Sequence, residues 1–138
     1  MRRLEPDALI RRITDEIWSG HRYELIDQLI AEDFVDHVEM AGLEGTGRAR
    51  YLSSVSLVHR GFSDYHEEIE LVVADEDKAV SYARVTGTHD GDLMGLPPTG
   101  RKVDFRVMGI LRFVEGQAIE RWGVGDSLTQ MRQLGLLG

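Results

Sequence analysis

This chain reads as helices first and strands after, and that order constrains its fold more than any other feature. In "DALIRRITDEIWSG", Leu9, Ile10, Ile13 and Ile17 recur at spacings of three and four, the period of an amphipathic helix. Pro6 suits a first helical turn and Gly20 a stop. A second short helix carries Leu25, Ile26, Leu29 and Ile30 on one side. "DFVDHV" (33–38) reads as a short strand or extended segment, "MAGLEGTG" (40–47) as a glycine-rich loop, and residues 48–59 as a third helix that "RGFSD" ends. Strand patterns follow: "YHEEIELVVA" (65–74), "AVSYARVTGTH" (79–89), "KVDFRVMGILRFV" (102–114) and "AIERWGVGD" (118–126). "EGQ" joins the last two as a tight hairpin, and "SLTQMRQLGLLG" reads as a short helix with an apolar tail. Helices followed by antiparallel strands predict an α+β fold, with helices on one face of a curved sheet. No repeat or linker interrupts the pattern, and 138 residues suit one domain, 1–138.

One connection is too long for a hairpin. "DGDLMGLPPTGR" (90–101) joins neighbouring strands, where loops of 2–5 residues are usual and loops near 12 are often functional. Leu93, Met94 and Leu96 are apolar, so the loop is expected to fold back over something. Pro97 and Pro98 stiffen it, and Gly95 and Gly100 let it turn.

Charge and composition exclude several function classes. The formal net charge is −8 and the arginines are scattered, so neither a phosphate-tracking surface nor an anionic membrane surface is expected as a partner. Cysteine is absent, which removes disulfides, thiol nucleophiles and cysteine-ligated metal. "MRRLEPDALI" lacks the apolar core of a signal peptide, and no stretch approaches the ~18 apolar residues of a membrane span. The expected location is the cytoplasm. His21, His37, His59, His66 and His89 show no HxH or HxxxH spacing, so no metal site is expected. "GLEGTGR" lacks the strand–GxGxxG–helix setting of a dinucleotide site.

The last strand poses the chemical question. Strict alternation puts Trp122, Val124 and Asp126 on one face. Two apolar residues suggest that this face meets the core, which would leave a carboxylate among apolar groups. Desolvation there would raise its pKa and suit it to move protons. The competing reading makes Asp126 the cap of the helix that "DSLTQ" begins.

"GTHDGDLMGLPPTGRKVDF", then a long strand, then "EGQAIERWGVGDSLTQMRQLG" resembles the SnoaL-like polyketide cyclases, within the wider group that shares the fold of nuclear transport factor 2. "EIWSGHRYELIDQLIAEDFVDH" is similar to the helical start of the same family. The resemblance implies a cone-shaped α+β barrel around a deep apolar pocket, and commonly a homodimer. It implies ring closure of a polyketide by intramolecular aldol condensation, with no metal or organic cofactor. The residue matching the family's acid/base aspartate is Asp126. The chain departs from the family pattern at Arg121, where many relatives carry histidine, and at Gly109, where many carry a polar residue.

The expected site therefore has Asp126 as general acid/base and His37 as a group that polarises a carbonyl or orients the acid. Trp18, Tyr51, His89, Met94, Leu96, Met108 and Trp122 are the candidate substrate contacts; each has an ordinary packing or turn role as its alternative. The expected ligand is small, apolar or aromatic, and polyketide-like. Two other readings stay open: a non-catalytic binding or interaction module on the same fold, and a hydrolase or dehydratase that activates water between Asp126 and His37.

Overall fold

The structure is a computed structural model that describes residues 4–137. Helix α1 (Pro6–Arg12) has proline at its start, Asp7 in its first turn and Arg11 and Arg12 in its last, each on the side that the helix dipole favours. It runs on as a wider π-helical stretch, Ile13–Ser19, and ends at Gly20. A 3₁₀ turn (Tyr23–Leu25) leads into α2 (Ile26–Leu29) and strand β1 (Ile30–Asp36). Strand β1 therefore starts earlier than the "DFVDHV" segment expected from sequence. Helix α3 spans Gly47–Gly61. Gly47 is required there: its φ is +60°, and a Cβ would stand 2.3 Å from the Glu32 carbonyl of β1.

Strands β2 (His66–Asp75), β3 (Lys78–Thr88), β4 (Lys102–Val114) and β5 (Gln117–Gly125) form the second half, and α4 (Ser127–Gln133) closes the chain. The sheet order is β1-β5-β4-β3-β2. Pairs β2–β3, β3–β4 and β4–β5 are antiparallel, while β1 lies parallel to β5. The architecture is thus α+β, as expected, but the curved sheet is mixed and stays open between β1 and β2. The β4–β5 turn has φ of +55° at Glu115 and +81° at Gly116, the signature of a two-residue type I′ hairpin whose twist matches its strands.

Register fixes which residues face inward. Buried Leu111 pairs with Arg121, Gly109 with Gly123 and Val107 with Gly125, and directly opposed residues share a face. The inner face of β5 is therefore Arg121, Gly123 and Gly125. Trp122 and Val124 project outward with Met108 and Ile110, and Val124 is 72% exposed. The expectation that Trp122, Val124 and Asp126 face the core is corrected: the alternation was right and the face was wrong.

Two apolar clusters hold the layers together. The larger joins Leu9, Ile10, Ile13 and Ile17 of the first helix to Tyr51 and Val55 of α3 and to Leu111 and Phe113 of the sheet. The smaller, Phe62, Val85, Leu93, Val103, Phe105 and Leu134, lies under the 90–101 loop. That loop folds back as expected. Leu93 and Leu96 exchange both backbone hydrogen bonds around Met94 (φ +49°) and Gly95 (φ +88°), and Leu93 inserts against Gly61.

Candidate active site

A cavity of about 480 Å³ lies between the first helix, α3 and the inner face of the sheet, within the usual 300–1,000 Å³ of small-molecule sites. Ile10, Ile13, Val58, Phe62, Val85 and Phe105 make its apolar wall, Ser81 and Gly109 its floor, and Met94 reaches it from the long loop. A Cβ built on Gly109 would find Ser81 Oγ at 3.9 Å and the Trp122 carbonyl at 4.0 Å, so the floor is open above this glycine.

Among the polar groups that line the cavity, two charged side chains are held by protein partners. The first is Arg121, which donates from Nε to Asp36 Oδ1 (3.0 Å) and from Nη2 to Asp36 Oδ2 (2.5 Å) and Ser54 Oγ (3.3 Å). Its guanidinium carbon lies 4.9 Å from the Tyr51 ring centre and 5.8 Å from that of Trp18, within cation–π range. Trp18 Nε1 donates to Tyr51 Oη at 2.8 Å, and burial pushes the Tyr51 hydroxyl up to about 12.

The second is Glu67 on β2. It pairs with buried Val85 in register, so it projects inward. Tyr65 Oη donates to its Oε2 at 2.9 Å, and Ser19 Oγ fixes its backbone N–H at 2.9 Å. Protein crowds the carboxyl closely, and Glu67 is among the residues that line the cavity. Burial raises its pKa above the ordinary carboxylate value, against the opposing pull of Tyr65 and Arg121.

The matches to known proteins fit this geometry. A family model described as SnoaL-like polyketide cyclase matches residues 8–134. The chain belongs to the SnoaL-like polyketide cyclase family. It is 26% identical over 115 residues to the nogalonic acid methyl ester cyclase of Streptomyces nogalater, covering 83% of this chain and 86% of that one. The solved structure of IdmH from Streptomyces antibioticus, described as a candidate polyketide cyclase, superposes with a TM-score of 0.82 at 25% identity, covering 96% of this chain and 99% of the other. AclR of Streptomyces galilaeus, described as a candidate hydroxylase, gives 0.79 at 27% identity, with 95% and 96% covered. The fold and the resemblance thus span cyclases and hydroxylase-like proteins.

Set against that family, several expected site residues sit elsewhere. Asp126 is exposed and caps α4: its Oδ1 accepts from Thr129 N at 3.1 Å and its Oδ2 from Thr129 Oγ1 at 2.6 Å. The Thr129 bonds hold its pKa below the ordinary carboxylate value, opposite to the raised value expected for a desolvated acid. His37 is also on the outer face, 44% exposed in its side chain. It bonds Glu120 Oε2 at 2.6 Å and stacks on Trp122 at 5.1 Å. His37 N bonds to Arg121 O, and Asp126 lies five residue steps beyond Arg121 along extended chain, about 16 Å at ~3.3 Å each. His37 and Asp126 are therefore not a water-activating pair.

Trp18, Tyr51 and Met94 do border the cavity. Met108 and Trp122 border it along their strands while their side chains project from the opposite face. His89 and Leu96 serve the loop instead. His89 is fully buried, and its Nδ1 takes a bond from Thr99 N at 3.2 Å and meets Thr99 Oγ1 at 2.9 Å, tying the loop's ends. Its Nε2 meets no polar partner. Leu96 packs on the small cluster. Among the described residues, no three histidine, aspartate or glutamate side chains converge as a metal site, and no helix is long and apolar enough to cross a membrane.

Sequence reasoning missed Glu67, Tyr65, Arg121 and Asp36. The signal for Glu67 was present: in "YHEEIELVV", alternation puts Tyr65, Glu67 and Ile69 on one side, an acid in an apolar row. Arg121 stood out only as a departure from the family pattern, and nothing linked it to Asp36, because only the parallel pairing of Asp36 with Arg121 brings them together.

Proposed function

We propose that this chain is a cofactor-independent enzyme of the polyketide-cyclase type. In this reading it closes a ring in a small aromatic or polyketide-like ligand by acid–base proton transfer. The observation that carries the reading is the cavity of about 480 Å³ whose apolar wall holds a carboxyl of raised pKa (Glu67) and a fixed cation (Arg121). An aldol closure removes a proton from carbon beside a carbonyl and builds negative charge on oxygen, so it needs a base and positive potential in a dry site.

The test is incubation with nogalonic acid methyl ester, the compound named for the Streptomyces nogalater relative. The expected product has the mass of the substrate and one more ring. Binding without conversion favours the second reading, a non-catalytic binding module. The observation behind that alternative is Asp126: the residue matching the family's acid/base aspartate caps a helix from an exposed position.

The same reading includes a homodimer acting in the cytoplasm. Val35, Leu71, Val73, Met108 and Val124, with Trp122 among them, spread apolar surface over the outer face of the sheet. Exposed apolar patches of this kind suit an interface. Val124→Lys is expected to shift the protein toward monomer in light scattering; an unchanged dimer would place the interface elsewhere.

A further inference from the structure

We infer that Glu67, held by Tyr65, is the group that carries the proton in this cavity, in place of the carboxylate of Asp126. This deepens the cyclase reading and rests on it. Glu67 projects from β2 into the cavity beside the row Val85–Phe105. Tyr65 Oη donates to Oε2 at 2.9 Å, which engages that oxygen and leaves the proton to Oε1. The charged and titratable groups that act on it are Tyr65 just before β2, Arg121 from β5 and Asp15 from the first helix. Burial makes its carboxylate a stronger base than an exposed one. Asp126, by contrast, has both oxygens engaged by Thr129.

The step balances within the substrate and one side chain. The Glu67 carboxylate takes a proton from carbon beside a carbonyl; the C–H bond breaks and an O–H bond forms on Glu67. The resulting enolate carbon attacks a second carbonyl of the same molecule. A C–C bond forms, and the carbonyl π pair moves to oxygen. That alkoxide takes the proton back from Glu67, which returns to its starting state with no co-reactant. Arg121, fixed by Asp36, supplies positive potential from the same wall while charge sits on oxygen.

Two measurements test this together. Turnover of nogalonic acid methyl ester is compared between the unaltered protein and Glu67→Gln, which keeps shape and hydrogen bonding. The carboxyl of Glu67 is also titrated by carbon NMR in the ligand-free protein and in Tyr65→Phe. A loss of about 10²–10⁴-fold in Glu67→Gln, with the native fold retained by circular dichroism, supports the inference; unchanged turnover overturns it. If the unaltered protein does not convert this ester, the choice of that ester as substrate fails, and the titration decides the role of Glu67. A midpoint above the ordinary carboxylate range that moves in Tyr65→Phe and on adding the ester supports it. An ordinary midpoint indifferent to both overturns it.

Discussion

Arg121 and Asp36 meet inside the molecule through two parallel hydrogen bonds of 3.0 and 2.5 Å, with only 12% and 0% of their side chains exposed. The parallel pairing of β1 with β5 makes this contact possible. A buried ion pair adds little against an apolar replacement of similar shape, but removing one partner strands the other charge. Asp36→Ala is therefore expected to lose about 3–5 kcal/mol in urea unfolding, and the double variant Asp36→Ala, Arg121→Met to recover most of that loss. Equal losses in the single and double variants would show that the charge left behind is not the cause.

How much of this was legible beforehand depended on locality. The span of β4, the β4–β5 hairpin and the long loop's return over the core could all be read from patterns within a dozen residues. The face of β5 could not. Glycines and an arginine line the inner side, while a tryptophan and a valine stand outside, so hydrophobicity pointed the wrong way. A cavity inverts the usual rule, because its walls must leave space, and glycine leaves the most. Glu67 and Arg121 become a site only once β2 and β5 are placed against the helices, information carried by long-range pairing rather than by spacing.

The cap at α4 has a pH signature. Thr129 lowers the pKa of Asp126 below 3.8, so the folded state binds this proton less readily than the unfolded chain does. Its contribution is complete above pH ~3.8 and is lost as pH falls through the lowered folded value. Asp126→Ala is expected to lower the melting temperature at pH 7 and Asp126→Asn to lower it less, because asparagine also caps. A calorimetric scan of both variants from neutral to acid pH checks this.

His59 sets a second, higher window. Its Nε2 bonds the Trp18 carbonyl at 2.7 Å and its Nδ1 meets Tyr23 Oη at 2.5 Å. Burial lowers its pKa, reinforced by His21 stacked at 3.7 Å and opposed by the Trp18 bond. The unfolded chain thus takes up this proton first as pH falls. The contribution of His59 is full above pH ~6.5 and declines as pH falls through its lowered folded value. Urea midpoints should drop between pH 7.5 and 5.5, and His59→Gln should flatten that drop.

Gly109 is the place to fill the cavity. No atom lies closer than 3.9 Å to a Cβ built there, so Gly109→Leu is expected to fold normally while occupying the space above the floor. Quenching of Trp18 fluorescence by nogalonic acid methyl ester, followed in a Trp122→Phe background, should weaken at least about tenfold, the effect of roughly 1.4 kcal/mol. Unchanged quenching would place the ligand elsewhere.

Proton abstraction inside the cavity is tested most directly by exchange. The protein is incubated with nogalonic acid methyl ester in deuterated water, and the substrate's carbon-bound protons beside its carbonyls are followed by NMR. The account predicts protein-dependent loss of one such proton as the ring closes, and deuterium uptake into remaining substrate where the enolate reverts after Glu67 exchanges its proton with solvent, both lost in Glu67→Gln. Tight binding of the ester with neither exchange nor ring closure would contradict it.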